Sequence, residues 1–300
     1  MRRLAGTIII ALLALASTPA LAQAPASEVM TRPTEPFKII GDLYYVGTEG
    51  SASYLMTSPQ GSVLIDAGLA ETVPQVQANI AKLGFQLADI KYLLTSRAAP
   101  DRAGGLARFK KDTGAQIVAS AADKPLLEGG LAAQGVEAVK VDRVIGDGDK
   151  LNLVDAKVTK GGVLFVARLT PGPTPGCTSW TLPVREQKWN HTVIFYCGAF
   201  VGDNRLVGAS ARPGIVEDYQ KTFATARGVI ADVFLAPYPD MFKMKDKRAL
   251  IHDGWLNPFI KAGEFHAYLD AADKEFKAEL ARQQQALSAD ATAGSAAAKK

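Results

Sequence analysis

Residues 95–105 carry the side chains best placed for chemistry. This segment follows an apolar run at residues 90–94, which predicts a buried strand, and it precedes a predicted helix. A loop between a strand and a helix is a common place for functional residues, because rigid elements hold it and the helix end offers free N–H donors. The segment contains one carboxylate, Asp101, and two arginines, Arg97 and Arg102, but no histidine or cysteine.

The other reactive residue types do not form a catalytic pattern. Ser96 and Ser179 have no histidine at a matching position, so a Ser-His-Asp triad is not indicated. The Gly-Gly pair at the end of the loop lacks the Lys-Ser/Thr that would complete a phosphate loop. Cys177 and Cys197 are the only cysteines and lie at the edges of two neighbouring predicted strands, where either a disulfide or two buried thiols is reasonable.

Length and composition are typical of a globular protein. The chain has 300 residues, of which 48% are hydrophobic and 21% charged, so it can bury a core of ordinary size. Its formal net charge of +4 is small and scattered, without a basic stripe interleaved with aromatic residues. These features exclude nucleic acid as an expected partner.

The N-terminus predicts export. A basic start, an apolar run at residues 8–16 and the small-x-small sequence Ala20-Leu21-Ala22 form a secretory signal peptide over residues 1–22. The apolar run is too short to span a bilayer, so we expect no stable membrane insertion after cleavage and a periplasmic or secreted mature protein. Residues 23–35 are rich in Pro, Ala, Ser and Thr and are expected to form a flexible N-terminus.

The remaining pattern predicts one α/β domain over residues 36–284 and a low-complexity, disordered tail at residues 285–300. The predicted strands lie at residues 37–47, 53–57, 62–66, 90–94, 115–119, 139–141, 150–153, 157–158, 163–169, 178–182, 192–196 and 233–236. The predicted helices lie at residues 73–83, 106–113, 123–127, 215–229 and 264–284. This succession favours two packed sheets with helices outside them, an α/β layered sandwich.

Several sequence blocks occur in a familiar order. They are LYYVGTEG at 43–50, LIDAG at 64–68, LADIKYLL at 87–94, AGG at 103–105, VDRVI at 141–145, LTPG at 169–172, TPGCTSW at 174–180, GIVEDY at 214–219 and LAP at 235–237. Over roughly residues 36–284 the chain therefore resembles the metallo-β-lactamase superfamily, most closely its third, B3-type subclass. The resemblance implies a four-layer αβ/βα sandwich, a dinuclear zinc cleft at one edge of the paired sheets, and β-lactam hydrolysis by a metal-held hydroxide.

The resemblance ends at the zinc ligands, because most of the family's ligand residues are replaced in this chain. The family's His-x-His-x-Asp-His loop and its two later histidines fall on Arg97, Ala99, Asp101, Arg102, Pro173 and Tyr238. Zinc is bound by Cys, His, Asp and Glu, so only Asp101 keeps a ligand side chain. Two serines of the B3 subclass are replaced by Gly198 and Phe200. We therefore predict no zinc or other cofactor and no catalytic residue.

The three histidines of the chain are not expected to replace the missing zinc ligands. His191 lies in a turn between predicted strands, and His252 and His266 lie far along the chain near the last helix. Each is expected to be a surface or core-edge residue rather than a metal ligand.

Two interpretations of the arginines remain open. A buried Asp101 without metal would be an expensive unpaired anion, so Arg97 and Arg102 could simply neutralise it. Alternatively, the two guanidinium groups could face the cleft that holds zinc in the family and bind an anionic small molecule there. Asp101 and the Tyr238 hydroxyl would belong to the same site, and Arg168 would add a third positive charge.

The leading functional hypothesis is an exported, catalytically inactive homologue, or pseudoenzyme, that binds an anionic small molecule. The alternative from the enzyme class is a B3-like β-lactamase, or another amide or ester hydrolase, with an altered site. A third hypothesis is an interaction protein whose cleft is filled. The sequence does not decide the oligomeric state.

Overall fold

The computed structural model describes residues 27–153, 163–253 and 256–297. The signal peptide predicted at residues 1–22 and the strand predicted at residues 157–158 lie outside the described residues. None of the helices in the described part of the chain combines the length and apolar character of a membrane span.

A seven-stranded sheet forms the N-terminal half of the domain. Its strands are, in spatial and sequence order, β1 Phe37–Ile40, β2 Leu43–Tyr45, β3 Tyr54–Ser58, β4 Gly61–Ile65, β5 Ile90–Leu94, β6 Gln116–Ser120 and β7 Arg143–Ile145. Strands β1 to β4 pair antiparallel, and β4 to β7 pair parallel. Because parallel strands end at the same edge, the loops that follow β4, β5 and β6 lie together.

A second sheet has the order β12-β11-β10-β9-β8. Its strands are β8 Lys150–Asn152, β9 Leu164–Leu169, β10 Thr178–Glu186, β11 Trp189–Phe195 and β12 Val233–Leu235. Only β12 pairs parallel, with β11, and the other pairs are antiparallel.

Helices flank the two sheets. The α-helices are α1 Ser27–Thr31, α2 Val73–Lys82, α3 Pro100–Ala103, α4 Leu106–Thr113, α5 Lys124–Gly129, α6 Ile215–Arg227, α7 Met244–Ala249 and α8 Glu264–Ala297. Short 3-10 helices lie at Ala70–Thr72, Leu87–Asp89, Ala132–Gln134, Pro239–Phe242 and Leu250–Asp253.

Two hydrophobic clusters correspond to the layers. One lies largely between the sheets and extends to α6 and α8, with Trp180 and Tyr219 among its buried members. The other joins the outer face of the first sheet to α2 and α4 through residues such as Leu93 and Phe109. Helix, sheet, sheet and helix thus stack in four layers, which confirms the predicted αβ/βα sandwich.

The strand predicted at residues 139–141 is wrong, since the strand lies at Arg143–Ile145. The Val139 N–H donates to the Leu127 carbonyl (2.8 Å) and the Val141 N–H donates to the Glu128 carboxylate (3.2 Å). These bonds tie the segment to α5 and keep it from pairing in the sheet.

Both ends of the domain also differ from expectation. Residues 27–35 were expected to be flexible, but α1 packs on the domain, where Met30 is buried and its carbonyl accepts a bond from the Thr48 hydroxyl (2.6 Å). Helix α8 continues past Gln284 to Ala297 instead of giving way to a disordered tail. Ala and Gln are good helix formers, and the Gln283 side chain anchors this helix by accepting the Leu206 N–H (2.8 Å).

Candidate functional site

The loop after β5 is held by one hydrogen bond from β10 and one within the loop. The Thr178 N–H of β10 donates to the Ser96 carbonyl (2.8 Å), and the Thr95 hydroxyl donates to the Arg97 carbonyl (2.9 Å). Pro100 then opens α3, a first-turn position that suits its fixed φ and missing N–H. This geometry places Arg97, Asp101 and Arg102 on one short connection between β5 and α4.

Asp66 anchors the start of the loop from the neighbouring strand. It follows β4 in a left-handed conformation, with φ of 57°, an uncommon geometry for a residue with a Cβ. Its buried carboxylate accepts the Ser96 N–H (2.7 Å) and the Ser96 hydroxyl (2.8 Å). Burial raises the pKa of Asp66 to about 6, although Arg102 and the two Ser96 bonds favour the ionised form.

Asp123 anchors the middle of the loop. Its side chain, only 1% exposed, accepts the Ala98 N–H (2.9 Å), while its second oxygen has no hydrogen-bond partner among the described residues. A Cβ added at Gly176 would lie 1.9 Å from that oxygen, so this position requires glycine. Burial raises the pKa of Asp123 to about 6, against the opposing effects of the Ala98 N–H and Arg97.

Arg102 lies at the centre of the site and is completely buried, with 0% exposure. Its Nη1 lies 2.8 Å from the Asp101 carboxylate, and its Nε lies 3.7 Å from the Asp66 carboxylate. The guanidinium carbon also lies 4.6 Å from the centre of the Tyr238 ring. Burial alone would lower the pKa of Arg102, but Asp101, Tyr238 and Asp66 outweigh it and raise that pKa, so the guanidinium is charged.

The Asp101 carboxylate contacts the side chains of Arg102, Arg97 and Tyr238. The Tyr238 hydroxyl donates to the same carboxylate oxygen that Arg102 contacts (2.9 Å). Burial would raise the pKa of Asp101, but Arg102, Arg97 and the Tyr238 hydroxyl together hold it below its usual value. The carboxylate is therefore ionised at neutral pH and is a weak base.

Arg97 closes the outer side of the site with Phe200. Its Nη2 lies 4.0 Å from Asp101, a loose ion pair, and its guanidinium carbon lies 5.2 Å from the centre of the Phe200 ring. The Phe200 ring in turn lies 5.7 Å from the Tyr238 ring. The Arg97 side chain is 12% exposed, and its Nε has no hydrogen-bond partner in the described chain.

Comparisons with known proteins identify the family. The profile of the metallo-beta-lactamase superfamily matches residues 46–186. The chain is 44% identical to BJP-1, a subclass B3 metallo-beta-lactamase of Bradyrhizobium japonicum, with a TM-score of 0.80 over 87% of this chain and 98% of that one. The chain belongs to the metallo-beta-lactamase superfamily.

Two other solved structures agree with this membership. A metallo-beta-lactamase from Cronobacter sakazakii, described by a HARLDQ motif, is 34% identical, with a TM-score of 0.78 over 86% of this chain and 98% of that chain. Native FEZ-1 metallo-beta-lactamase from Legionella gormanii is 32% identical, with a TM-score of 0.78 over 85% and 98% of the two chains.

Four of the six residues that the resemblance places at zinc-ligand positions lie together in the structure. Asp101, Arg102 and Tyr238 contact one another, with Arg97 beside them. Ala99 has no ligand atom, and Pro173 offers only its carbonyl, which the Asn204 amide contacts at 3.4 Å. Within residues 27–153, 163–253 and 256–297, no three His, Cys, Asp or Glu side chains converge on a possible metal position.

The histidines that the structure describes have other neighbours. His191 Nδ1 lies 4.0 Å from the Asp232 carboxylate, and His266 Nε2 lies 3.0 Å from the Arg227 carbonyl oxygen. His252 belongs to the 3-10 helix Leu250–Asp253.

The cysteines form a disulfide, which decides the alternative that the sequence left open. Cys177 and Cys197 are joined with their Cα atoms 5.8 Å apart. The Cys197 N–H donates to the Ser179 hydroxyl (2.9 Å), so the cross-link fastens the ends of β10 and β11 directly behind Ser96.

Arg168 does not join the site. Its side chain lines a separate cavity with Thr181, Thr192 and Thr225, and no ion pair within 4.0 Å links it to an acidic residue of the described chain. The prediction that Arg168 adds a third charge to Arg97 and Arg102 is therefore wrong. Strand alternation explains it: Ala167 faces the core, so the next side chain faces away.

Proposed function

We propose that this protein is a catalytically inactive homologue of the subclass B3 metallo-β-lactamases, in which an arginine takes the structural role of the metal. The observation that supports this most directly is the burial of the Arg102 guanidinium between the Asp101 and Asp66 carboxylates. A buried carboxylate needs an opposite charge, and Arg102 supplies a permanent one.

The residues at the ligand positions do not fit a zinc ion. A structural or catalytic zinc needs at least three His, Cys, Asp or Glu ligands, whereas this site offers Asp101 among two guanidinium groups and a tyrosine. A second cation beside Arg102 would also meet electrostatic repulsion at short range. The cysteine sulfurs are not available as thiolates, because they form the disulfide.

The remaining groups are poorly suited to activate water. Zinc lowers the pKa of a bound water from about 15.7 to about 7, and a general base alone typically contributes only about 10²–10⁴-fold. Asp101 is a weak base here, since Arg102, Tyr238 and Arg97 hold its pKa low. One of its oxygens is already ion-paired with Arg102 and accepts the hydrogen bond from the Tyr238 hydroxyl.

The Cronobacter sakazakii relative with the HARLDQ motif makes a useful comparison. Residues 97–102 of this chain read Arg-Ala-Ala-Pro-Asp-Arg, which shares the Ala and Asp of that motif at the second and fifth positions. The histidine that opens the HARLDQ motif is replaced here by Arg97. This chain has thus moved further from a histidine-based site than that relative has.

A hydrolytic enzyme is the competing function, and the 44% identity to BJP-1 favours it. The deciding experiment measures the metal content of the purified full-length protein by mass spectrometry and the hydrolysis of a chromogenic β-lactam with and without added zinc. We expect no stoichiometric zinc and hydrolysis at the buffer rate, with BJP-1 prepared in parallel as the active control. Stoichiometric zinc together with chelator-sensitive turnover would overturn the proposal.

Zinc-independent turnover is a separate outcome of that assay. If hydrolysis above the buffer rate persists after chelation, Asp101→Asn should be measured next. A loss of that turnover in the variant would assign a metal-free hydrolase and would likewise contradict an inactive homologue.

For the proposed anionic ligand of the cleft, the contacts favour Arg97 as the binding residue. The Arg102 side chain is fully buried, and both Arg102 and Tyr238 contact Asp101 closely, whereas the Arg97 side chain is partly exposed and pairs with Asp101 only loosely. Thermal shift with dicarboxylates and with intact and hydrolysed β-lactams tests this idea. We expect a shift that Arg97→Gln removes and that Arg108→Gln, at an exposed site, retains; equal shifts in both variants would reject the cleft as the binding site.

A further inference from the structure

The outer face of the second sheet carries a cavity that is separate from the site at Asp101. Arg168 of β9, Thr181 of β10 and Thr192 of β11 point to this face, as the strand register requires. Helix α6 covers the face and ends at Arg227, and its Thr225 together with the Gly228–Ile230 turn completes the wall. The cavity has a volume of about 350 Å³.

Arg168 brings an uncompensated charge to this cavity. Its Nε is buried and has no hydrogen-bond partner among the described residues, and no carboxylate there lies within 4.0 Å of its guanidinium. A guanidinium is always charged in proteins, and a buried donor without a partner is unfavourable. The arrangement is therefore that of a cation prepared for an anion from outside the chain.

Three hydroxyl groups surround that cation. The side-chain oxygens of Thr181, Thr192 and Thr225 make no hydrogen bond to any other group in the described part of the chain. A threonine on a helix often donates to the carbonyl one turn earlier, as Thr113 does to Phe109 (2.7 Å), but Thr225 does not. Free hydroxyl donors beside a guanidinium match the needs of a carboxylate.

The mouth of the cavity adds an apolar element. Val229 is half-buried, and Ile230 is 81% exposed, the second highest value among the large exposed hydrophobic side chains of the described chain. An exposed isoleucine beside a polar cavity would be covered by a ligand with an apolar group, because that burial removes both surfaces from water. The ligand therefore combines an anionic head with an apolar body.

We propose that this cavity binds a small organic carboxylate, with Arg168 pairing the carboxylate, the threonine hydroxyls donating to it, and Ile230 covering its apolar part. Asp232 is the acidic group nearest to Thr192, and it is already occupied by the Thr192 N–H (2.8 Å) and approached by His191. This site goes beyond the inactive-homologue proposal and does not depend on it.

Benzoate is a suitable probe, since it has one carboxylate and one apolar ring. Calorimetric titration of the full-length protein with benzoate should give saturable binding, and neutral benzamide should bind far more weakly. Arg168→Gln should weaken benzoate binding by about tenfold or more, since it removes a charge-assisted pair. Thr181→Val, an isosteric change at a buried hydroxyl, should weaken it by a smaller factor.

Arg108→Gln is the matched control, because it removes an equal charge at an exposed arginine of α4. It should leave benzoate binding unchanged. Benzoate binding that survives Arg168→Gln, or that Arg108→Gln abolishes, would overturn the assignment, as would binding of inorganic phosphate without binding of benzoate. Thermal unfolding of Arg168→Gln, Thr181→Val and Arg108→Gln checks that each remains folded, and Thr181→Val tests the site if Arg168→Gln does not fold. None of these outcomes depends on zinc content or lactam hydrolysis, so the two proposals fail separately.

Discussion

Two arginine environments in this molecule differ in how the charge is compensated. Arg102 is fully buried, stacks on the Tyr238 ring and forms ion pairs with two carboxylates, although its Nε and Nη2 make no hydrogen bond among the described residues. Arg168 is half-buried, forms no ion pair with a described residue and lines a cavity with three threonines. The charge of Arg102 is compensated inside the protein, whereas the charge of Arg168 is available to a ligand.

The difference separates two roles of an arginine. A buried charge that is ion-paired contributes to structural integrity, and removing one partner leaves the other uncompensated. A partly exposed charge without an ion-pair partner contributes little to stability and is available for binding. The same residue type therefore predicts opposite responses to mutation in the two regions.

Arg102→Met is expected to have the largest effect. It leaves Asp101 and Asp66 as buried carboxylates without their nearest cation, which should destabilise the protein by about 3–5 kcal/mol. Urea unfolding at neutral pH measures this value, and Arg108→Met at an exposed pair should change stability by only about 0–1 kcal/mol.

Combining Arg102→Met with Asp101→Asn sharpens this prediction. The double variant should recover part of the loss, because the anion is removed together with its partner. A loss for Arg102→Met no larger than for Arg108→Met would break the comparison, since Arg102 would then not be the structural cation.

Asp123→Asn is expected to have an intermediate, pH-dependent effect. The pKa of Asp123 is raised from 3.8 to about 6 by burial, so between about pH 4 and 6 the folded state holds a proton that the unfolded state has lost. The contribution of this group to stability therefore falls as the pH rises through that window. Relative to the wild type, Asp123→Asn should gain about 2–3 kcal/mol between pH 4 and pH 7.

Urea unfolding at both pH values measures the gain. The opposite sign is expected for Asp101→Asn, because the pKa of Asp101 is lowered and its ionised form stabilises the fold. A pH-independent difference for Asp123→Asn would contradict the raised pKa.

Arg168→Met is expected to have the smallest effect. Since no ion pair is lost, the free energy of unfolding should stay within about 1 kcal/mol of the wild type or rise slightly. The measurement is urea unfolding in a buffer free of organic carboxylates, beside Arg102→Met. Comparable losses for the two variants would mean that Arg168 has a structural partner and would remove the contrast between the two regions.

Much of the fold could be predicted from the sequence, because its apolar periodicity is strong. The strand at Ile90–Leu94 has its predicted bounds, and the helix predicted at residues 215–229 lies at Ile215–Arg227. The strand prediction for residues 139–141 was wrong because Val141 is buried beside α5 and not in the sheet. The residues that follow it, Arg143–Ile145, pair with β6. Periodicity shows that a side chain is buried but not what it is buried against.

The candidate site was predicted in part. The loop and the pairing of Arg102 with Asp101 follow from their proximity in sequence. The bond from Ala98 to Asp123 was not predicted: the parallel pairing of β5 and β6 brings their following loops to one edge, but the sequence does not show which side chain meets which N–H. The orientation of Arg168 could have been found, since Phe165 and Ala167 alternate with it and are both buried in the core.

The enclosed position of Arg102 also bears on attempts to install a metal site by design. A single Arg102→His change would leave Asp66 without its cation and Asp101 with only the loose Arg97 pair, and a lone imidazole would hold no zinc. Arg97, Ala99, Pro173 and Tyr238 would still supply no His, Cys, Asp or Glu ligand, so each early step would lower stability and gain no metal. A zinc site could therefore be built here only by changing several of these residues together.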